Sequence, residues 1–177
     1  MTNVLVAYAT VHGSTTDMAK KIGEVLEAHG MDVTVEAVQN ITGLAGYDAL
    51  VAGTAIHSGT WLPEMKTFLE HAQSALADKP VYFWVSCIRV LERFGLEHVM
   101  DNYMEPQVLA TLNVRDKAAL AGKLDLQSVD WNERWTLAAR YDGETWPSSF
   151  DGDFRDWEKV KAWAEKVAQD LKGAKKS

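Results

Sequence analysis

Three short apolar runs set the terms on which this chain can fold: residues 3–9 (NVLVAYA), 48–54 (DALVAGT) and 80–86 (PVYFWVS). Each is too short for a helix and too uniformly apolar for a strand with one wet face. Each therefore reads as a strand covered on both sides. The intervening segments repeat with a different period. Met18, Ile22, Val25 and Leu26 share one face of a helix over residues 14–29, with Lys20, Lys21, Glu24 and Glu27 pointing outward. Gly30 stands where a helix-ending glycine is expected. Residues 32–38 alternate as a second strand, and Pro63 opens a helix whose apolar face is Met65, Phe68, Leu69 and Ala72. Residues 96–112 read as partly helical, and residues 117–126 (KAALAGKLDL) as a fifth strand. A last helix begins near Asp153, marked by Trp157, Val160, Trp163, Ala164 and Val167.

Strands alternating with helices imply βαβ crossovers and a parallel sheet with helices on both faces. The expected fold is α/β, a three-layer sandwich around a five-stranded parallel sheet of order 2-1-3-4-5. Such sheets bind ligands at the carboxyl ends of their strands, where the order reverses. Three loops then belong to one site: 10–15, 54–61 and 86–95.

The 177 residues suffice for one buried core. One domain is expected over residues 1–172, with a frayed tail at 173–177. Eighteen Lys and Arg against 25 Asp and Glu leave a formal charge of −7. That disfavours nucleic acid and anionic membrane, both of which need a basic face, and suits docking on a basic protein patch. A single cysteine, Cys87, excludes an intrachain disulfide and a paired-cysteine metal site. His29, His71 and His98 are scattered over helical patterns, so no metal site is assigned. No apolar run approaches the roughly 20 residues of a membrane span, and no basic segment precedes the first apolar run. Stable membrane insertion is not expected, and a cytoplasmic location is.

The first loop carries the chemistry. Thr10-Val11-His12-Gly13-Ser14-Thr15 joins a strand to a helix N-terminus, where unpaired N–H groups and about half a positive charge are available. Three hydroxyls add donors, and Gly13 permits a close backbone approach. The Gly-Lys-Ser/Thr of a P-loop is absent, and so is the G-x-G-x-x-G of a dinucleotide fold. A hydroxyl-rich loop suits one monoester phosphate. It also suits an ordinary Ser/Thr helix cap.

Thr10–Thr15 resembles the T-x-T-G-x-T phosphate loop of flavodoxins, with His12 in place of the middle Thr. The resemblance extends through all five strands and implies a flavodoxin-like sandwich that binds FMN. Within that group, Gly53-Thr54-Ala55-Ile56-His57-Ser58-Gly59 is similar to the G-A-S-I-x-x-G of the branch containing menaquinone-dependent protoporphyrinogen dehydrogenase, as is Asp156-Trp157-Glu158-Lys159-Val160 at the last helix. The resemblance implies that Thr54, Ala55, Ile56, His57, Ser58, Gly59 and Thr60 follow one side of the flavin, with Gly59 able to turn a carbonyl towards it. Trp61 either stacks on the ring or is a core aromatic at a helix start. Ser86, Cys87, Ile88 and Arg89 form the opposite wall. Arg89 departs from the acidic or aromatic residues usual there; a cation beside the flavin would raise its potential.

Electron carriage between partner proteins is the first functional expectation. The second is an FMN-dependent oxidoreductase of the protoporphyrinogen dehydrogenase type that passes electrons to a quinone. Residues 127–152 bear on this choice. They gather Trp131, Arg134, Trp135, Arg140, Tyr141 and Trp146, but also many acids, unlike the basic insertion of that branch. They read either as a lid over the sheet edge or as an apolar wall beside the flavin. A response-regulator-like module would need acidic residues after strand one and an aspartate ending strand three, and both strands end in Thr.

Overall fold

The computed structural model of the chain describes residues 1–125, 127–132, 134 and 152–174. Strands β1 (Asn3–Ala9), β2 (Asp32–Ala37), β3 (Ala49–His57), β5 (Val81–Ser86) and β6 (Val114–Leu120) pair in parallel in the order β2-β1-β3-β5-β6. The short β4 (Thr60–Trp61) turns back antiparallel onto β3. Without β4 this is the expected order 2-1-3-4-5. The additional strand arises because residues 57–60 form a tight hairpin. Ser58 and Gly59 both have positive φ (52° and 80°), the requirement of a two-residue turn whose twist matches its strands.

Alternation along the buried strands divides the core into two layers. Val4, Val6, Val51, Tyr82 and Trp84 meet α1 (Ser14–Ala28) and α5 (Trp157–Ala174), through Met18, Ile22, Leu26, Val160 and Trp163. Leu5, Ala7, Leu50, Ala52, Phe83 and Val85 face the other way. They pack on α2 (Pro63–Leu76), α3 (Gly95–Asn102) and α4 (Pro106–Leu109), through Met65, Leu69, Val99 and Leu109. One position in this core admits only glycine. The Trp84 ring lies over Gly53, where a Cβ would stand 1.9 Å from Trp84 Cε2. Trp84 is fully buried and has no room to retreat.

Two expectations are corrected at the sheet edge. The fifth strand begins at Val114 and stops at Leu120 rather than spanning 117–126. Its start is charged: Arg115 and Lys117 are exposed, while Asp116 turns to α5 and accepts from Trp163 Nε1 at 3.0 Å. Lys123–Leu124 forms a separate strand, β7, antiparallel to β8 (Gly152–Asp153). For that reason the last helix cannot begin near Asp153. It starts at Trp157, capped by Asp156, whose Oδ1 accepts from the N–H groups of Glu158 and Lys159 at 3.1 Å each. It runs to Ala174, past the point where the tail was expected. Trp135, Arg140, Tyr141 and Trp146 of the late segment lie outside the described residues.

Gly53→Ala should lower stability by about 2 kcal/mol through overpacking against Trp84, read as a lower urea midpoint; an unchanged midpoint would show that the ring can yield. Asp156→Ala should cost about 1 kcal/mol by uncapping α5, with Asp156→Asn recovering most of it. Equal losses in the two variants would discount the cap.

Candidate functional site

The parallel registers bring the three loops to one level. Ala9 lies opposite Thr54, Thr54 opposite Val85, and Ala55 opposite Ser86. The chain leaves these strands at their carboxyl ends around a cleft. Thr10, Val11, His12 and Ser14 line it from the first loop, Ala55 to Gly59 from the second, and Ser86 to Arg89 from the third.

The first loop is organised by its own hydroxyl. Thr10 Oγ1 accepts from the Gly13 N–H at 3.0 Å, which folds the loop over, and Gly13 sits at φ 81° just before α1. No side chain caps α1, so its first-turn N–H groups lack the partner that an ordinary Ser/Thr cap would supply. Behind the loop Thr15 is fully buried, and its Oγ1 has no hydrogen-bond partner among the described residues. A buried hydroxyl left unsatisfied costs about 1–3 kcal/mol. An uncapped helix end beside an orphaned donor fits an oxyanion, and a phosphate ester is the group these residues suit.

A cation also stands at this helix end. Arg155 Nη1 donates to Ser14 O at 3.2 Å and to Asp17 Oδ2 at 2.9 Å, and its Nε donates to Asp153 Oδ1 at 2.8 Å. The bonds to Asp153 and Asp17 hold its proton more tightly than usual, and the arginine in turn lowers the Asp153 carboxyl below the ordinary range. Two carboxylates thus neutralise the arginine, and its work is to tie α1 to the segment that precedes α5.

The opposite wall centres on Tyr103, at the end of α3. Its ring packs edge-on against His98, with centroids 5.2 Å apart, and beneath Gly59, where a Cβ would lie 3.6 Å from the ring. Arg89 Nη1 donates to Tyr103 Oη at 3.4 Å, and Arg89 Nε faces Glu92 Oε2 at 3.6 Å, an ion pair too long for a hydrogen bond. Arg89 is thereby held on the cleft rather than in bulk solvent. Cys87 is 8 % exposed, and burial pushes its thiol up to about 11, against the opposing pull of the Arg89 N–H. It is a wall residue whose raised thiol disfavours the thiolate form.

Five of the expected residues do not line the cleft. Gly13 shapes the loop, and Thr15 lies buried behind it. Thr54 is fully buried, accepting from the Leu62 N–H at 3.4 Å. Thr60 Oγ1 donates to Glu105 Oε1, beside the Lys66–Glu105 ion pair at 2.7 Å. Of the two readings of Trp61, the core aromatic fits its surroundings: it is fully buried, stacked on Phe83 at 4.2 Å, and donates through Nε1 to Tyr103 O. The hairpin explains this. Pairing Ile56 with Trp61 turns the indole under the sheet.

Conversely, Tyr103, Gly122, Lys123, Leu124 and Val129 line the cleft without having been singled out. Only the glycine offered a signal: Gly122 passes so close to Ser86 that a Cβ would lie 2.6 Å from Oγ. In a chain of charge −7, the described lining residues include no carboxylate. They include Arg89, Lys123 and two imidazoles, a balance that favours an anion. Among the described residues no cluster of three potential metal ligands exists, and no helix is long and apolar enough to cross a membrane.

The comparisons with known proteins agree with this architecture. Among solved structures, a flavodoxin from Pseudomonas aeruginosa superposes with a TM-score of 0.61 at 14% identity, over 96% of this chain and 99% of that one. A flavodoxin from the domain Archaea gives 0.56 at 15%, over 96% and 99%. The rubredoxin oxygen:oxidoreductase of Desulfovibrio gigas gives 0.58 at 14%, over 97% of this chain; the chain spans only 36% of that larger protein. At such identities these likenesses concern the fold. No curated protein matches the sequence. The family model of the flavodoxin domain matches residues 5–147, and the chain belongs to that family.

Proposed function

We propose that the chain is an FMN-binding electron-transfer protein. The observation that carries this reading is the uncapped N-terminus of α1 with the buried, unpartnered hydroxyl of Thr15 beside it. Thr10, Ser14, Thr15 and the first-turn N–H groups would hold the phosphate. The segments Ala55–Gly59 and Ser86–Arg89, with Tyr103 between α3 and the hairpin, would flank the ring. When bound, the flavin supplies redox chemistry that passes electrons singly or in pairs. The chain's own residues bind it, orient it and set the charge around it. Arg89 contributes positive charge held by Tyr103 and Glu92. Tyr103 contributes an aromatic wall whose hydroxyl keeps its proton, since burial raises it above the ordinary phenol range despite Arg89.

Exposed apolar side chains on the first loop and in the segment after Arg89 favour contact with an apolar surface. Val11 is 53% exposed, and Leu91, Phe94 and Leu96 on the segment after Arg89 are exposed as well. A redox partner protein suits this rim, steered by the chain's acidic charge. A quinone also suits it, as in the protoporphyrinogen dehydrogenase branch, and that is the second reading. A cytoplasmic site of action belongs to the same proposal.

Purified protein should be yellow, and the released flavin should be FMN. Changing Thr10, Ser14 and Thr15 together to Ala should weaken FMN binding by at least about 100-fold, the scale of two or more lost charge-assisted hydrogen bonds, while riboflavin affinity changes little. Equal losses for the two flavins would remove the phosphate from this loop. Stopped-flow reoxidation of the reduced protein by a soluble menaquinone analogue separates the two readings: turnover without a partner protein supports the quinone, and its absence supports the carrier.

A further inference from the structure

Among the described residues, three other than glycine have positive φ: Ser58 (52°), Phe94 (60°) and Glu105 (42°). Such backbone persists where the surroundings impose it, and it gathers at functional sites. Ser58 belongs to the turn on the cleft, and Phe94 immediately precedes α3, the helix at whose end Tyr103 stands. Glu105 lies outside the cleft lining, so its strain calls for another account. Its conformation is unfavourable twice over, because Pro106 follows and biases it towards extended backbone. Nor does the side chain serve the helix that it precedes, for it makes no capping bond to α4.

The side chain reaches the hairpin instead, 45 residues away in sequence. Its carboxylate pairs with Lys66 Nζ of α2 at 2.7 Å and accepts from Thr60 Oγ1 at 2.8 Å, while Lys66 Nζ also donates to Thr60 Oγ1 at 2.8 Å. The bond from Lys66, aided by Thr60 and the backbone N–H of Trp61, holds the carboxyl below its ordinary range, so it is ionised near neutrality. Two residues earlier, Tyr103 O accepts from Trp61 Nε1 at 2.6 Å. Segment 103–105 thus grips both residues of β4. A hairpin whose return strand is only Thr60–Trp61 does not hold its own turn. That turn, Ser58–Gly59, lines the cleft, and Gly59 rests on the Tyr103 ring.

We propose that Glu105 is a positioning residue for the ring of the bound flavin: acting with Lys66 through Thr60, it sets the Ser58–Gly59 turn against Tyr103 and so fixes one wall of the cleft. The inference rests on the FMN reading above and concerns the ring side alone. The partners of Glu105 belong to the hairpin and α2 rather than to the phosphate loop. Its loss therefore acts on both flavins alike, the reverse of removing the loop hydroxyls. The side chains of Lys66 and Glu105 are 33% and 24% exposed, and a partly exposed ion pair adds little to global stability. Its effect is local, on the turn that it holds.

The test is fluorescence titration of the flavin-free full chain with FMN and with riboflavin, for wild type, Glu105→Gln and Glu105→Gly. Gln keeps the shape and removes the charge. Gly removes the side chain and relieves the left-handed strain, so the fold is not at stake; urea midpoints check both variants. Each variant should bind FMN and riboflavin about tenfold more weakly, by one factor for the two flavins, the scale of a charge-assisted hydrogen bond partly screened by solvent. The visible circular dichroism of bound riboflavin, which reports how the wall holds the ring, should change. Amide hydrogen exchange of residues 58–61 in the flavin-free variants should quicken while that of β1 does not. Unchanged affinities and an unchanged spectrum, whether or not exchange quickens, would reduce Glu105 to a structural contact and overturn the inference while the FMN reading stands. A loss confined to FMN would overturn it in the same way. A wild-type protein that binds neither flavin would overturn the FMN reading and this inference with it.

Discussion

Parallel pairing of β1, β3 and β5 in one register is the constraint on which the site depends. With Ala9 beside Thr54 and Ala55 beside Ser86, three loops that are distant in sequence leave the sheet within one row of residues. The pairing is secured by burial on both faces: Val4, Val6, Ala7, Val51, Ala52, Phe83, Trp84 and Val85 are all fully buried. A one-residue slip would exchange the two core layers and turn every loop to a new position. Gly53 enforces the register between β3 and β5, since the Trp84 ring needs the space that any other residue there would fill.

That rigid frame carries a deliberately incomplete edge. Helix α5 is capped by Asp156, whereas α1, in a loop full of hydroxyls, has no side-chain cap. The hydroxyls are used otherwise: Thr10 folds the loop onto Gly13, and Thr15 stays buried without a partner. Arg155 stands nearby but is neutralised by Asp17 and Asp153, leaving dipoles rather than a full charge at the helix end. Helices α2, α3 and α4 also lack a side-chain cap, so what sets α1 apart is the buried, unpartnered Thr15 hydroxyl beside its end, the group that the proposed phosphate would complete.

Much of this is legible in the residues, for reasons that also mark where legibility stops. Strands buried on both faces announce themselves as unbroken apolar runs, and α1 and α5 by their period, so the layers and strand order follow. β6 is an edge strand with charges at its start, and its hydrogen-bonding role leaves no apolar run to read. The pairing of Lys123–Leu124 with Gly152–Asp153 joins segments with no local signal for each other, and it moves both the fifth strand and the last helix from where periodicity puts them. In the site, the residues that follow β1, β3 and β5 come together because topology demands it. Trp61 goes to the core because two left-handed residues, Ser58 and Gly59, make a hairpin of what composition presents as a loop. Tyr103 and Lys123 arrive by tertiary packing alone.

The most direct test of the account is a crystal structure of the protein grown with FMN. The expected result is phosphate oxygens within about 3.2 Å of Thr15 Oγ1 and of the first N–H groups of α1, with the ring between Gly59 and the segment Ser86–Arg89. A flavin seated elsewhere, or a phosphate directed into solvent while the Thr15 hydroxyl still lacks a partner, would contradict it.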